Sequence, residues 1–108
     1  MKKQFEKDAI RIFAVAGSFA EDKDAARKIR MQNILPSIER GEPVILDFSK
    51  VAVATQSFIH ALVSEVLRLH GEKALELLVF RSCNATVKSV IRTVVDYSLA
   101  QREAQASS

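Results

Sequence analysis

Apolar residues change their spacing several times along the chain, and each change predicts an element. Residues 9–16, Ala-Ile-Arg-Ile-Phe-Ala-Val-Ala, form an eight-residue apolar run ended by Gly17-Ser18. Its length and its Ile and Val content predict a strand, interrupted only at Arg11 and so covered on most of both faces. Over 22–40 the period becomes helical: Met31, Ile34, Leu35 and Ile38 fall at i, i+3, i+4 and i+7, with Ile29 opening the stripe. Asp22 or Asp24 can cap this helix and Gly41 can close it. Pro36 predicts a kink or a break, because it lacks an N–H and its ring strikes the preceding turn. Val44–Phe48 reads as a second strand, followed by a loop over 49–54 with Val51 and Val53 turned inward. A second helix is predicted over 57–70. Phe58, Leu62, Val66 and Leu69 share one face, Ile59, Val63 and Leu67 widen it, and His60, Ser64, Glu65 and Arg68 lie opposite. Gly71 marks its end. A third strand over 74–80 and a third helix over 84–100 follow. Val87, Val90, Ile91 and Val94 line that helix's core face, and Lys88 and Arg92 its outer one. Residues 101–108 are expected to fray, and an added strand over 3–7 has no periodic pattern behind it.

Strand and helix thus alternate three times, βαβαβα. This predicts an α/β fold, a small sandwich of a mostly parallel sheet joined by right-handed crossovers with helices packed on it. One domain over residues 1–100 suits a chain of 108 residues. Apolar residues make up 48% of it, enough for an interior, and three Gly and two Pro leave little room for long loops.

Charge narrows the function classes. Sixteen Lys and Arg against 13 Asp and Glu give a net charge of only +3. The densest basic segment, Lys23, Arg27, Lys28 and Arg30, is interrupted by Asp22 and Asp24 and reads as a solvated helix face. With no Trp for stacking, nucleic-acid binding is not expected. A single Cys fits a reducing compartment. The first residues lack the apolar core of a leader, and no apolar run reaches the ~20 residues a membrane span needs. The expectation is a cytoplasmic protein without a membrane span.

Candidate chemistry gathers at one junction, Leu46-Asp47-Phe-Ser-Lys-Val-Ala-Val-Ala-Thr55-Gln56-Ser57, where a strand leads through a loop into a helix. Ser57 reads as a helix N-cap, a role compatible with use as a phosphosite, since a phosphate there meets the positive end of the helix. Asp47 has no second carboxylate or His at supporting spacing, so it is expected to accept N–H groups and shape the loop. His60 and His70 stand about 80° and about 15 Å apart on one helix, too far to share a metal. His60 belongs beside Ser57 on an exposed surface. Cys83, near a helix start, could have its thiol pKa lowered, but no base accompanies it and a structural thiol is the simpler reading. No cofactor, metal site or catalytic constellation is expected.

The motif Val44-Ile-Leu-Asp47-Phe48-Ser-x-Val51, then Thr55-x-Ser57-Phe58, then Phe80-Arg-Ser-Cys83-Asn84, resembles the STAS-like domain family of unknown function over roughly residues 8–98. Such domains are similar to STAS domains, the sulphate-transporter and anti-sigma-factor antagonist class, where an Asp-Ser-Ser-Gly segment carries a phosphorylated second Ser. The resemblance sets Thr55 on the motif Asp, Gln56 on its first Ser, Ser57 on its second and Phe58 on its Gly, so only Ser57 is retained. It implies a non-enzymatic regulatory module that docks a protein partner through loop 54–57 and the following helix, using Thr55, Gln56, Ser57 and His60, with Asp47 and Asn84 structuring the loops. The implied partner is a histidine-kinase-type ATPase or a sensor system using one. A homodimer through a strand edge or helix face is a further option. The competing reading is a small-ligand or nucleotide-binding domain, with Asp47, Thr55, Ser57 and Asn84 gathered at the carboxyl ends of the strands. An enzyme built on Cys83 or Asp47 ranks below both.

Overall fold

Val44–Asp47 (β3) is the middle strand of a parallel three-stranded sheet, flanked by Ile10–Arg11 (β1) and Leu78–Arg81 (β5). The computed structural model from which this is read describes residues 9–107; the strand considered over 3–7 lies outside them. Val44 and Leu46 are buried and Ile45 and Asp47 half-buried. That is the near-continuous burial of a central parallel strand rather than the alternation of a one-sided sheet. A second, two-stranded parallel ladder joins Phe19–Ala20 (β2) to Val53–Ala54 (β4).

The helices are Ile12–Ala16 (α1), residues 23–39 (α2), residues 56–70 (α3), Glu72–Leu77 (α4) and Ala85–Ser107 (α5). The fold is mixed α/β with parallel ladders, as predicted. The order along the chain, however, is β1-α1-β2-α2-β3-β4-α3-α4-β5-α5 rather than a strict alternation.

Two predicted strands are mostly helical, and β3 explains both. Arg11 already pairs with Asp47, the last residue of β3. The next N–H of that segment, from Phe48, donates to the carbonyl of Arg81 on the other side. Residues 12–16 therefore have no ladder to join, and the run turns into α1, which buries Ile12 and leaves Phe13 and Val15 exposed. Likewise the four residues of β3 accept only three of the predicted strand over 74–80, Leu78 to Phe80, and then Arg81 beyond it. Leu78–Arg81 pair with Val44–Asp47, while Glu72–Leu77, rich in good helix formers, coil into α4.

Helices α2 and α3 each contain a wide π turn, Arg30–Ile34 and His60–Ser64. In α2 this answers Pro36 without breaking the helix. Leu35 N–H bonds five residues back to Arg30 O, which opens the ladder just where the proline ring would meet the carbonyl four residues before it. The extra residue re-phases the buried stripe to Ala26, Ile29, Ile34 and Ile38, and Met31, predicted inside, is exposed. In α3 the buried set is Phe58, Ile59, Leu62, Val63, Ser64, Val66 and Leu67. Leu69, predicted inside, is turned outward, and Ser64, predicted outside, is buried against Ser98 of α5.

Asp22 caps α2 through Asp24 N–H and Ala25 N–H. At its other end Gly41 N–H bonds Ile38 O and Glu42 N–H bonds Ser37 O, the paired bonds of a Schellman turn, with Gly41 at φ 76. Helix α5 runs well beyond residue 100 and takes in residues 101–107. It buries Val87, Ile91, Val94 and Ser98, leaving Lys88 and Arg92 outside. No helix among the described residues is long and apolar enough to cross a membrane.

Candidate functional site

The loop from β3 to α3 is held by three side chains. Asp47 Oδ1 accepts Ser49 N–H at 3.0 Å and Ser49 Oγ–H at 2.7 Å, tightening the turn that leaves the strand. Those two bonds, joined by the charges of Arg81 and Arg11, hold the Asp47 carboxyl below its ordinary value of 3.8 against a smaller opposing effect of burial. Asn84 Nδ2 donates to Ala52 O at 3.0 Å and to Val51 O at 3.3 Å, while its Oδ1 accepts Val87 N–H at 2.8 Å and so caps α5. Thr55 caps α3: its Oγ1 accepts Phe58 N–H at 3.1 Å. Ser57 is therefore not the cap. It is the second residue of the helix, with its side chain exposed. The helix starts one residue earlier than predicted because Thr55, extended at ψ 158, supplies the capping oxygen first.

The freed Ser57 opens onto a groove between α2 and α3 of about 560 Å³. Lys23, Arg27 and Arg30 at i, i+4 and i+7 of α2 form one wall, and Gln56, Ser57, His60 and Arg68 of α3 the other. Among the described residues Glu65 is the one carboxylate lining it. The two π turns face each other here. Arg30 Nη1 donates to Ala61 O at 3.0 Å, and its Nη2 lies 3.5 Å from Glu65 Oε1. Arg27 pairs with Asp24 at 2.9 Å, both well exposed, a contact worth little in water. The Nε groups of Arg30 and Arg68 are enclosed without a hydrogen-bond partner among the described residues, which costs stability.

A family description for a STAS-like domain of unknown function matches residues 25–88, from the first turn of α2 into α5. The chain belongs to the STAS-like domain family. The resemblance read from the Asp47, Thr55-x-Ser57 and Cys83-Asn84 segments is thereby confirmed, and apart from Lys23 the residues lining the groove lie within the matched part of this STAS-like domain. No curated protein and no solved structure matches the chain.

In the STAS-like domain, Gln56, Ser57 and His60 share the groove, while Thr55 is spent on capping and Asn84 on bracing the loop. The four residues expected to gather at the strand ends do not. Asp47 lines a separate crevice with Arg11, Ser49, Lys50 and Arg81, whereas Ser57 faces the α2–α3 groove. Cys83 is half-buried, and burial pushes its thiol pKa up, with Lys88 opposing and Asp47 adding to the shift, so the lowering that a helix start could give is absent and the structural-thiol reading fits. No group of three or more His, Cys, Asp or Glu able to hold a metal occurs among the described residues. Sequence reading missed Arg68 as a partner of the α2 basic residues, since 38 positions separate it from Arg30 and only α2–α3 packing joins them. The i, i+4, i+7 spacing of Lys23, Arg27 and Arg30 was the available signal.

Proposed function

We propose that this STAS-like domain is a non-enzymatic regulatory module. It docks an acidic segment of a protein partner along the α2–α3 groove, through loop 54–57 and the first turns of α3. The observation carrying this reading is that exposed Gln56, Ser57 and His60 line the same groove as Lys23, Arg27, Arg30 and Arg68, against the carboxylates of Glu65 beside Arg30 and Asp24 beside Arg27. Charge of one sign in a concave site steers an oppositely charged partner and sets its register. The family suggests a histidine-kinase-type ATPase or a sensor system as the partner.

Ser57 is the switch in this reading. Transfer of a phosphoryl group from ATP to its Oγ, by a kinase, would place about two negative charges at the second residue of α3. The helix N-terminus and the groove cations tolerate that charge. A phosphate so held occupies the cations that the partner's carboxylates need, so modification releases the partner.

Co-purification from native cells, followed by titration calorimetry on the captured partner, tests both parts. Wild type and Ser57→Ala should bind alike, and Ser57→Asp and Lys23→Ser/Arg27→Ser should bind about tenfold or more weakly, with affinity falling as salt rises. Equal affinity across all four proteins would sink the reading.

A further inference from the structure

The carboxyl ends of β1, β3 and β5 form a second concave site, away from the groove that Ser57 faces. Parallel register aligns Arg11 with Asp47 and Asp47 with Arg81, so one row across the sheet reads Arg-Asp-Arg. Neighbouring strands lie about 4.8 Å apart, which sets the two arginine backbones roughly 10 Å from each other with Asp47 between them. Asp47 feels the charge of both arginines, yet the row is not closed into ion pairs among the described residues. The Asp47 oxygen with partners among the described residues takes Ser49, and neither guanidinium makes a hydrogen bond or ion pair with a described residue.

Lys50 adds a third cation to the same crevice, whose volume is about 660 Å³, within the range of small-molecule sites. Its backbone sits at φ 70, in the left-handed region that a lysine enters only when its surroundings hold it there. In that conformation Nζ stands 5.9 Å from the centre of the ring of exposed Phe13. A glycine would adopt this backbone freely, so the turn itself does not call for lysine. Strain of this kind, at the strand ends where open parallel sheets collect ligands, points to the side chain having a use.

Three cationic groups approach from β1, β5 and the loop after β3, against one carboxylate. A planar carboxylate ligand is satisfied by a single arginine fork, whereas a tetrahedral phosphoryl dianion takes donors from several directions. The unengaged oxygen of Asp47 can in turn accept a hydroxyl hydrogen. We propose that this crevice binds a small phosphorylated hydroxyl compound, its phosphoryl group held by Arg11, Arg81 and Lys50 and its hydroxyl by Asp47.

The test is an amide NMR titration of the full chain with inorganic phosphate, glycerol 3-phosphate and glycerol, at ionic strength matched with sodium chloride. Saturable shifts centred on Arg11, Ser49, Lys50 and Arg81 are expected, with glycerol 3-phosphate binding several-fold tighter than phosphate, roughly what one good hydrogen bond contributes. Arg11→Gln/Arg81→Gln should weaken both anions about tenfold or more, and Asp47→Ala, which removes the acceptor, should abolish the preference for the hydroxyl-bearing one. Lys50→Gly guards against a variant that fails to fold: it relieves the backbone, so it should melt no lower than wild type while binding phosphate more weakly. Shifts centred on Lys23, Arg27 and Arg68, shifts reproduced by chloride, or phosphate binding unchanged in the double variant and in Lys50→Gly would each overturn the proposal. None of these readouts depends on Ser57 or on a protein partner.

Discussion

At the scale of single residues, Thr55 and Ser57 exchange the roles their spacing suggests, and stability measurements can separate them. Thr55 Oγ1 caps the Phe58 N–H, so Thr55→Ala should cost about 1 kcal/mol in a urea unfolding titration. Ser57→Ala, at an exposed position inside the first turn, should stay within about 0.5 kcal/mol. Asp47 yields a prediction in pH. Its carboxyl is held below 3.8 in the folded chain, first by the Ser49 side chain and then by the Ser49 N–H, so the ionised form is favoured more by the folded than by the unfolded state. That contribution is complete above an unfolded value near 3.8 and is lost as pH falls through the lower folded value. Stability followed from pH 6 to pH 2 should therefore show wild type leading Asp47→Asn at the upper end and the gap closing below about pH 4. A gap that is constant with pH would mean the Asp47–Ser49 turn does not depend on charge.

At the scale of elements, periodicity located all three long helices, and their internal phase was hidden by the π turns. A π turn adds one residue to a turn, so every stripe drawn through it with a 3.6-residue ruler goes wrong on one side. For this reason Met31 and Leu69, which the period predicts inside, lie outside, and Ser64 the reverse. The buried Ser64 is matched by Ser98 of α5, Oγ to Oγ at 2.8 Å, a polar tie between two helices in an otherwise apolar seam. Ser98→Ala should leave the Ser64 hydroxyl buried without its partner and cost about 1–3 kcal/mol. Ser64→Ala/Ser98→Ala should recover much of that loss, giving a positive coupling in a double-mutant cycle by urea unfolding. Simple additivity would show that the hydroxyls do not depend on each other.

At the scale of the whole molecule, the far end of α5 decides what the chain tolerates at the end of α3. Gly71 turns the backbone at φ 61 and ψ −136, and a Cβ there would stand 2.6 Å from Arg102 Nε. Arg102 Nη1 in turn donates to Arg68 O at 2.6 Å, closing the last turn of α3. Gly71→Ala should destabilise by about 1–3 kcal/mol through backbone strain and this contact together. In an Arg102→Ala background part of the cost should remain, because removing the neighbour leaves the φ angle unchanged. Thermal melts of the four proteins check this. The packing of α2 on α3 acts at the same scale, turning a mixed-charge helix face into one wall of a groove that Arg68 completes.

The amino-acid sequence by itself determined the class of the fold, the family, the central strand, the junction from Asp47 to Ser57 and the glycines at the helix ends. The family rests on the resemblance of three short motifs, and the others on local physics: hydrophobic period, capping chemistry and the φ angles that only glycine enters easily. Tertiary structure decided how long the other strands are, since Val44–Asp47 offers four residues to pair with and the surplus of each apolar run coils into α1 or α4. It decided also which charges meet. Arg30 and Arg68 share one groove, and Arg11, Asp47 and Arg81 share one row, because elements far apart in sequence pack or pair in register. Long-range contact is a property of the folded chain, and no window of neighbouring residues carries it.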